Sequence, residues 1–127
     1  MLIDGKEMAF EIDGKSYHCA LSVTMGYIGG KWKTVILWYL RKGAKRFSEL
    51  KRHIPDITEK MLSLQLRELE ADGLIERKIF AEVPPRVEYS FTDFGNSMIP
   101  MLESIAAWGR DLGQSRGTMV EVLRETK

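Results

Sequence analysis

Thr58, Lys60, Ser63, Leu64 and Arg67 bring small polar, basic and apolar groups into one short stretch of chain. Such a mixture suits the edges of bases and the oxygens of phosphates. Leu62, Leu66 and Leu69 run between and beyond them at i, i+4, i+7, which stacks three leucines in one buried stripe of a helix. The first set falls largely off that stripe and has little reason to face its own core. Glu70-Ala71-Asp72-Gly73 follows, a helix end with glycine where a left-handed residue is wanted. Two strand-like runs come next, residues 74–80 and 86–92, joined by Ala81-Glu82-Val83-Pro84-Pro85. A helix followed at once by a hairpin is the arrangement of a recognition helix and a wing. The fold expected is therefore α+β, mainly α: a winged helix-turn-helix of the kind that reads double-stranded DNA.

Charge supports that expectation once it is located. The net charge is only +1, but residues 31–67 hold ten Lys/Arg against three acids, a local +7, and the remainder holds nine bases against fifteen acids, a local −6. One surface is thus suited to a polyanion while the rest stays hydrated. Catalysis finds little support. There is one cysteine, two histidines (His18 and His53) and no Gly-rich phosphate loop, and Gly29-Gly30 reads as a helix stop. No enzyme activity, metal site or cofactor is expected. The lone Cys19 excludes an internal disulfide framework, and no apolar run approaches the ~20 residues of a membrane span. Early acids (Asp4, Glu7) in place of a signal-type segment make the cytoplasm the expected compartment and no membrane the expected partner.

The elements that must position these groups form one domain, 19–112, between an N-terminal arm (1–18) and a C-terminal tail (113–127). In the arm, 8–12 and 15–19 read as a ribbon about an Asp13-Gly14 turn, lying on the domain or on a partner. Residues 20–28 form a helix stopped by Gly29-Gly30. A second helix, 31–42, has Trp32, Val35, Ile36, Tyr39 and Leu40 on its apolar side and is stopped by Gly43. A third, 47–54, faces Phe47, Leu50 and Ile54 inward. Pro55 breaks the chain, and Thr58 caps the recognition helix 58–72. A long helix, 93–112, is expected to be kinked by Pro100. Its apolar sector, with Phe94, Met98, Met101, Ile105, Trp108 and Leu112 flanked by Ile99, Leu102 and Ala106, is wider than one surface helix needs and points to a second copy. Met98 and Trp108 have an alternative in ordinary core packing. Met119, Val120 and Leu123 allow a further amphipathic turn or two.

Lys31 and Lys33 oppose the dipole of their helix, and phosphate binding would explain them. Arg86 beside Pro84-Pro85 makes a stiff basic tip for groove or backbone contact. Cys19 precedes a helix N-terminus, which lowers a thiol pKa, and His18 could assist; the alternative is an inert packing residue. A winged helix used only for protein binding is the rival function.

Ile28-Gly29-Gly30-Lys31-Trp32, Arg46-Phe47-Ser48-Glu49-Leu50, Lys60-Met61-Leu62, residues 66–75 and residues 83–90 closely resemble the HxlR family of bacterial transcription regulators, relatives of the MarR-type winged-helix proteins. The resemblance spans about residues 19–110. It implies a homodimer built largely by the first and last helices, on a palindromic or near-palindromic operator. It also implies that Cys19 sits where some members carry a thiol sensing oxidants or electrophiles. Two departures stand out: Leu64-Gln65 replaces the usual Gln-Arg, and Ala20 replaces a common Pro. On this reading the DNA contacts are Lys31, Lys33, Arg46, Ser48, Thr58, Lys60, Met61, Ser63, Leu64, Arg67 and Arg86. The dimer face is Tyr27, Met98, Met101, Leu102, Ile105, Trp108 and Leu112. No small-molecule effector is named by residues or resemblance.

Overall fold

The computed structural model describes residues 1–122, so Leu123, counted above in a possible amphipathic turn, lies outside the described residues. In chain order the elements are β1 (Leu2–Ile3), β2 (Lys6–Glu7), β3 (Phe10–Ile12), β4 (Lys15–Tyr17), α1 (Ala20–Ile28), α2 (Lys33–Leu40), α3 (Phe47–His53), α4 (Glu59–Ala71), β5 (Ile75–Phe80), β6 (Arg86–Phe91), α5 (Asp93–Asn96) and α6 (Ile99–Arg116). Three two-stranded antiparallel ribbons, β1–β2, β3–β4 and β5–β6, accompany a mainly helical body.

The core is aliphatic and almost wholly made by the helices that present the site. Ile36, Leu37 and Leu40 of α2, Leu50 of α3, and Leu62, Leu66 and Leu69 of α4 are buried together with Ile54, Ile57, Leu74, Ile75 and Leu102. Each such side chain contributes ~1.5–3 kcal/mol by leaving water. The leucine stripe of α4 is therefore what holds its other side outward. Leu37, absent from the expected apolar set of its helix, is fully buried.

Both ends of α4 are set locally. Thr58 Oγ1 accepts from the Met61 N–H at 3.0 Å, meeting one of the donors a helix start leaves open. At the other end Gly73 N–H donates to Glu70 O and Leu74 N–H to Leu69 O, both at 3.0 Å, with Gly73 at φ 78. This is a Schellman closure, which needs a left-handed residue and so selects glycine. The chain passes straight from it into β5.

The wing pairs Ile75 with Phe91 through to Phe80 with Arg86. Its inner strand is also pinned to the α2–α3 connection: Lys45 N–H donates to Tyr89 O at 2.9 Å and Tyr89 N–H to Lys45 O at 2.8 Å.

Three expectations are corrected. The helix expected over 31–42 begins at Lys33 and ends at Leu40, with Lys31 left in the preceding bend. The single kinked helix 93–112 is instead two helices. Thr92 caps α5, accepting from Gly95 N–H at 3.0 Å, and α6 starts afresh with Pro100 in its first turn and continues to Arg116. Proline lacks only an N–H that has no partner there, so it begins a helix where it would have bent one. Finally, a ribbon about Asp4-Gly5 precedes the expected one. The second ribbon lies on its own domain: Tyr17 of β4 covers Gly26 of α1, where an added Cβ would sit 2.6 Å from the ring. Gly95 is buried with its Cα against the Leu74 carbonyl and Phe91. Residues 117–122 form no helix or strand, and Met119 and Val120 are exposed.

Candidate nucleic-acid interface

With the leucine stripe buried, α4 presents Lys60, Leu64 and Arg67 to solvent and holds Met61 and Ser63 half-buried beside them. Spacing of four and three residues puts the three exposed side chains on one side of the helix. Gln65 Nε2 donates to Met61 Sδ at 3.3 Å, which commits both to the helix surface. The Thr58 hydroxyl accepts the cap hydrogen bond. Arg46 and Ser48 are exposed at the start of α3, where Arg46 N–H donates to Glu49 Oε1 at 3.0 Å. Lys31 is exposed, with Nζ 4.7 Å from the Trp32 ring centre.

Two of the expected cations are engaged within the protein. Lys33, only 13% exposed, has Nζ 2.8 Å from Glu68 Oε2, so it joins α2 to α4 and is not the free phosphate-seeking group expected from its place at a helix start. Arg86 lies 4.0 Å over the Phe80 ring, 3.3 Å from Glu82 Oε1 and, through Nε, 3.1 Å from Glu88 Oε2, close for an ion pair though out of line for a hydrogen bond. It braces the wing instead of forming its basic tip. That tip is Val83-Pro84-Pro85, all exposed. The two carboxylates that occupy Arg86 stand four residues before and two after it; the second shares its side of the strand.

Sequence reasoning passed over Arg77 and Tyr89. They stand opposite each other across β5–β6 and, with Ser63, Arg67 and Glu70 of α4, line a polar notch of about 340 Å³ at the root of the wing. Tyr89 is half-buried, and burial pushes its phenol pKa up. The strand-like run of β5 and the i, i+4, i+7 spacing on α4 are visible in sequence, but their mutual approach is not.

The apolar face lies elsewhere. Ile105 and Trp108 of α6 are exposed, Trp108 at 70%, while Tyr27, Met98, Met101 and Leu112 are half-buried. Leu102 is 3% exposed and belongs to the core of its own chain, which removes it from the expected dimer face. Leu21 and Met25 of α1 and Phe94 of α5, absent from the expected face, are exposed. Tyr27 meets Phe94 edge-on at 6.1 Å between ring centres. A mostly apolar cavity of about 400 Å³ opens between the arm, α1 and α5–α6, lined by Ile12, Val23, Tyr27, Leu74, Phe94 and both methionines, with Thr24 and Ser97.

Cys19 is the N-cap residue of α1 and is partly exposed. Its thiol pKa is lowered, first by the Ser22 hydroxyl, whose Oγ lies 3.6 Å from Sγ, then by the Ser22 backbone N–H, which is not aligned as a cap hydrogen bond. Among the described residues no group of acidic, His and Cys side chains could hold a metal ion, and no helix is long and apolar enough to cross a membrane.

Comparison with known proteins agrees with this geometry. Residues 27–116 match the family model described as HxlR-like helix-turn-helix. The HTH-type transcriptional regulator YkvN of Bacillus subtilis is 54% identical over 95 residues, covering 75% of this chain and 80% of that protein. The HTH-type transcriptional regulator YtcD of the same organism is 47% identical over 116 residues, 91% of this chain and 92% of the relative. Among solved structures, the redox regulator HypR in its reduced form superposes with a TM-score of 0.73 at 43% identity, covering 77% of this chain and 97% of that one. A winged helix-turn-helix whose α4 keeps a mixed polar face outward, matched over 27–116 and along nearly the whole of YtcD, places this chain in the HxlR-like helix-turn-helix family of transcriptional regulators.

Proposed function

We propose that the protein binds double-stranded DNA as a two-fold homodimer, with α4 in the major groove of each half of a palindromic or near-palindromic operator. The wing, residues 81–86, lies on the flanking groove or backbone. The observation that carries this reading is the outward side of α4: burial of Leu62, Leu66 and Leu69 leaves Lys60, Leu64 and Arg67 exposed beside the basic 31–67 segment. Lys60, Arg67, Arg46 and Lys31 supply phosphate contacts, while Ser63, Leu64, Met61, Thr58 and Ser48 stand where base edges or backbone would be met. The exposed apolar side chains of α1, α5 and α6 supply the dimer face, and two-fold symmetry sets the reading helices one helical turn apart, about 34–36 Å. Residues 19–112 with the rest of α6 act as the DNA-binding and dimerising unit. This combination fits a protein working in the cytoplasm.

Cys19 adds an oxidant response to that function. HypR is described as a redox regulator, and here a partly exposed thiol of lowered pKa begins the helix that carries Leu21 and Met25. A thiolate attacks one oxygen of a hydroperoxide, giving a sulfenic acid and releasing water or alcohol once the leaving oxygen is protonated. With one cysteine per chain, any disulfide joins two molecules.

The test is duplex DNA binding across a range of salt, with sedimentation of the free protein. Lys60→Ala and Arg67→Ala should weaken binding to all sequences and flatten the salt slope by about one unit each, whereas Ser63→Ala and Leu64→Ala should relax preference at single positions by ~1–3 kcal/mol. Absence of salt-dependent affinity would favour a protein-binding module, and a monomer at micromolar concentration would remove the dimer.

A further inference from the structure

We propose that the notch between α4 and the root of the wing binds one phosphodiester of the DNA backbone, held by the guanidinium groups of Arg67 and Arg77 and the hydroxyls of Ser63 and Tyr89. The inference rests on the DNA-binding reading above and adds a contact at the root of the wing, away from its tip.

Two independent patterns meet at this place. Ser63, Arg67 and Glu70 are one stripe of α4, turned about a third of the helix away from the buried leucines. Arg77 and Tyr89 are direct cross-strand partners, so their side chains leave the same face of the hairpin. The two sets line the notch of about 340 Å³, which has only polar and charged residues around it and is large enough for a phosphate group with its water.

Among the described residues the two guanidinium groups there have no ion-pair partner, as Lys60 and Arg46 have none, whereas three other cations are engaged within the protein. Lys33 has Glu68, Arg86 has Glu82 and Glu88, and Arg41 donates to Trp38 O at 2.7 Å while stacked on its ring. Among the described residues neither Arg67 nor Arg77 has a carboxylate within the 4.0 Å of an ion pair, although Glu70 lines the same notch. Two guanidinium groups beside one carboxylate leave a single positive charge. That matches the single negative charge of a phosphodiester and disfavours a dianionic phosphate, which would leave the site negative.

Tyr89 completes the site. Its backbone bonds Lys45 in both directions, which fixes where the strand stands, and its half-buried phenol is held as a neutral donor. With the strand already held, placing the phenol costs little entropy on taking up the anion. Arg67 is shared between the notch and the exposed side of α4, so a DNA strand bordering the groove over α4 runs its backbone past this opening.

The experiment uses the full chain and a random-sequence duplex, with affinity read by fluorescence anisotropy over a series of KCl concentrations. Arg77→Gln should weaken binding roughly 3–10-fold and lower the salt slope by about one unit, because one phosphate contact is lost. Arg77→Lys should keep the slope, and Tyr89→Phe should weaken binding with the slope unchanged, since no charge is removed. Arg77 is exposed on β5, and far-UV circular dichroism of each variant checks that it folds. If Arg77→Gln matches the wild type while Lys60→Ala loses about one unit of slope, the notch holds no backbone phosphate and the DNA reading stands. If the wild type shows no salt-dependent binding, both fail together. If millimolar inorganic phosphate raises the Tm of the wild type but not of Arg77→Gln, and DNA affinity is the same in both, the notch serves a free anion and the backbone assignment is overturned.

Discussion

Lys33 and Glu68 meet at 2.8 Å, joining the first turn of α2 to the exposed side of α4. The pair consumes a cation where a DNA-binding surface would otherwise use one. With Glu68 45% exposed, its direct worth to stability is small, under about 1 kcal/mol. Glu68→Gln should therefore lower Tm only slightly while releasing Lys33. Nonspecific duplex binding should tighten and its salt slope steepen by about one unit. A slope equal to wild type would mean that Lys33 stays clear of DNA even when free.

Thr58→Ala should cost about 1 kcal/mol, because the Met61 N–H loses the hydroxyl that accepts from it at 3.0 Å. Urea unfolding should show a lower midpoint with an unchanged m-value, and Thr58→Ser should recover most of the loss. A midpoint unmoved in the alanine variant would show that water replaces the cap at no cost.

Gly95→Ala should be among the most damaging single methyl additions. The new Cβ would collide with the Leu74 carbonyl and lie 2.7 Å from the Phe91 ring, with backbone on one side leaving no flexible group to yield. The expected loss is ~3 kcal/mol or more, large against the ordinary range for a core insertion. Gly109→Ala in α6 is the control for the stability of the single chain, because nothing in that chain lies within 4 Å of its added Cβ, and there it should be neutral or mildly stabilising.

Alkylation of Cys19 by iodoacetamide should follow a thiolate whose pKa lies below the ordinary value of 9.0. The sign is set by what stabilises the anion: the Ser22 hydroxyl favours the charged form, so reactivity appears at lower pH than for a free thiol. Ser22→Ala should move the midpoint of the pH–rate profile upward. A midpoint insensitive to that change would remove the serine as the cause.

Much of this architecture was legible because its periodicities are strong. The 62/66/69 stripe, the Thr58 cap and the Gly73 stop each obey a local rule, and α4 follows from them within a residue or so. The wing was legible from two strand-like runs on either side of the Pro84-Pro85 turn. What escaped was set by contacts distant in sequence. Nothing local tells that Lys33 finds Glu68 thirty-five residues away, or that the Lys45 backbone closes on Tyr89. Pro100 carries two opposite meanings, kink or start, and only the turn at 97–98 decides between them. Leu102 and Trp108 both sit on the apolar sector of α6, yet the first is core and the second is exposed. Spacing places both on a broad face without saying where the body of the protein ends.

The close seat of Gly95 against Leu74 leaves no free space at the junction between α5 and the wing. Thr92 Oγ1 donates to Gly73 O at 2.6 Å and accepts from Gly95 N–H at 3.0 Å, so one side chain ties the end of α4 and the root of β5 to the start of α5. Beyond it α6 runs 18 residues, a rod of about 27 Å at 1.5 Å per residue. Such a rod is a lever: a tilt of about 5° at its root carries its far end by roughly 2 Å. A small change of angle at that root is thus magnified toward the C-terminal end of α6.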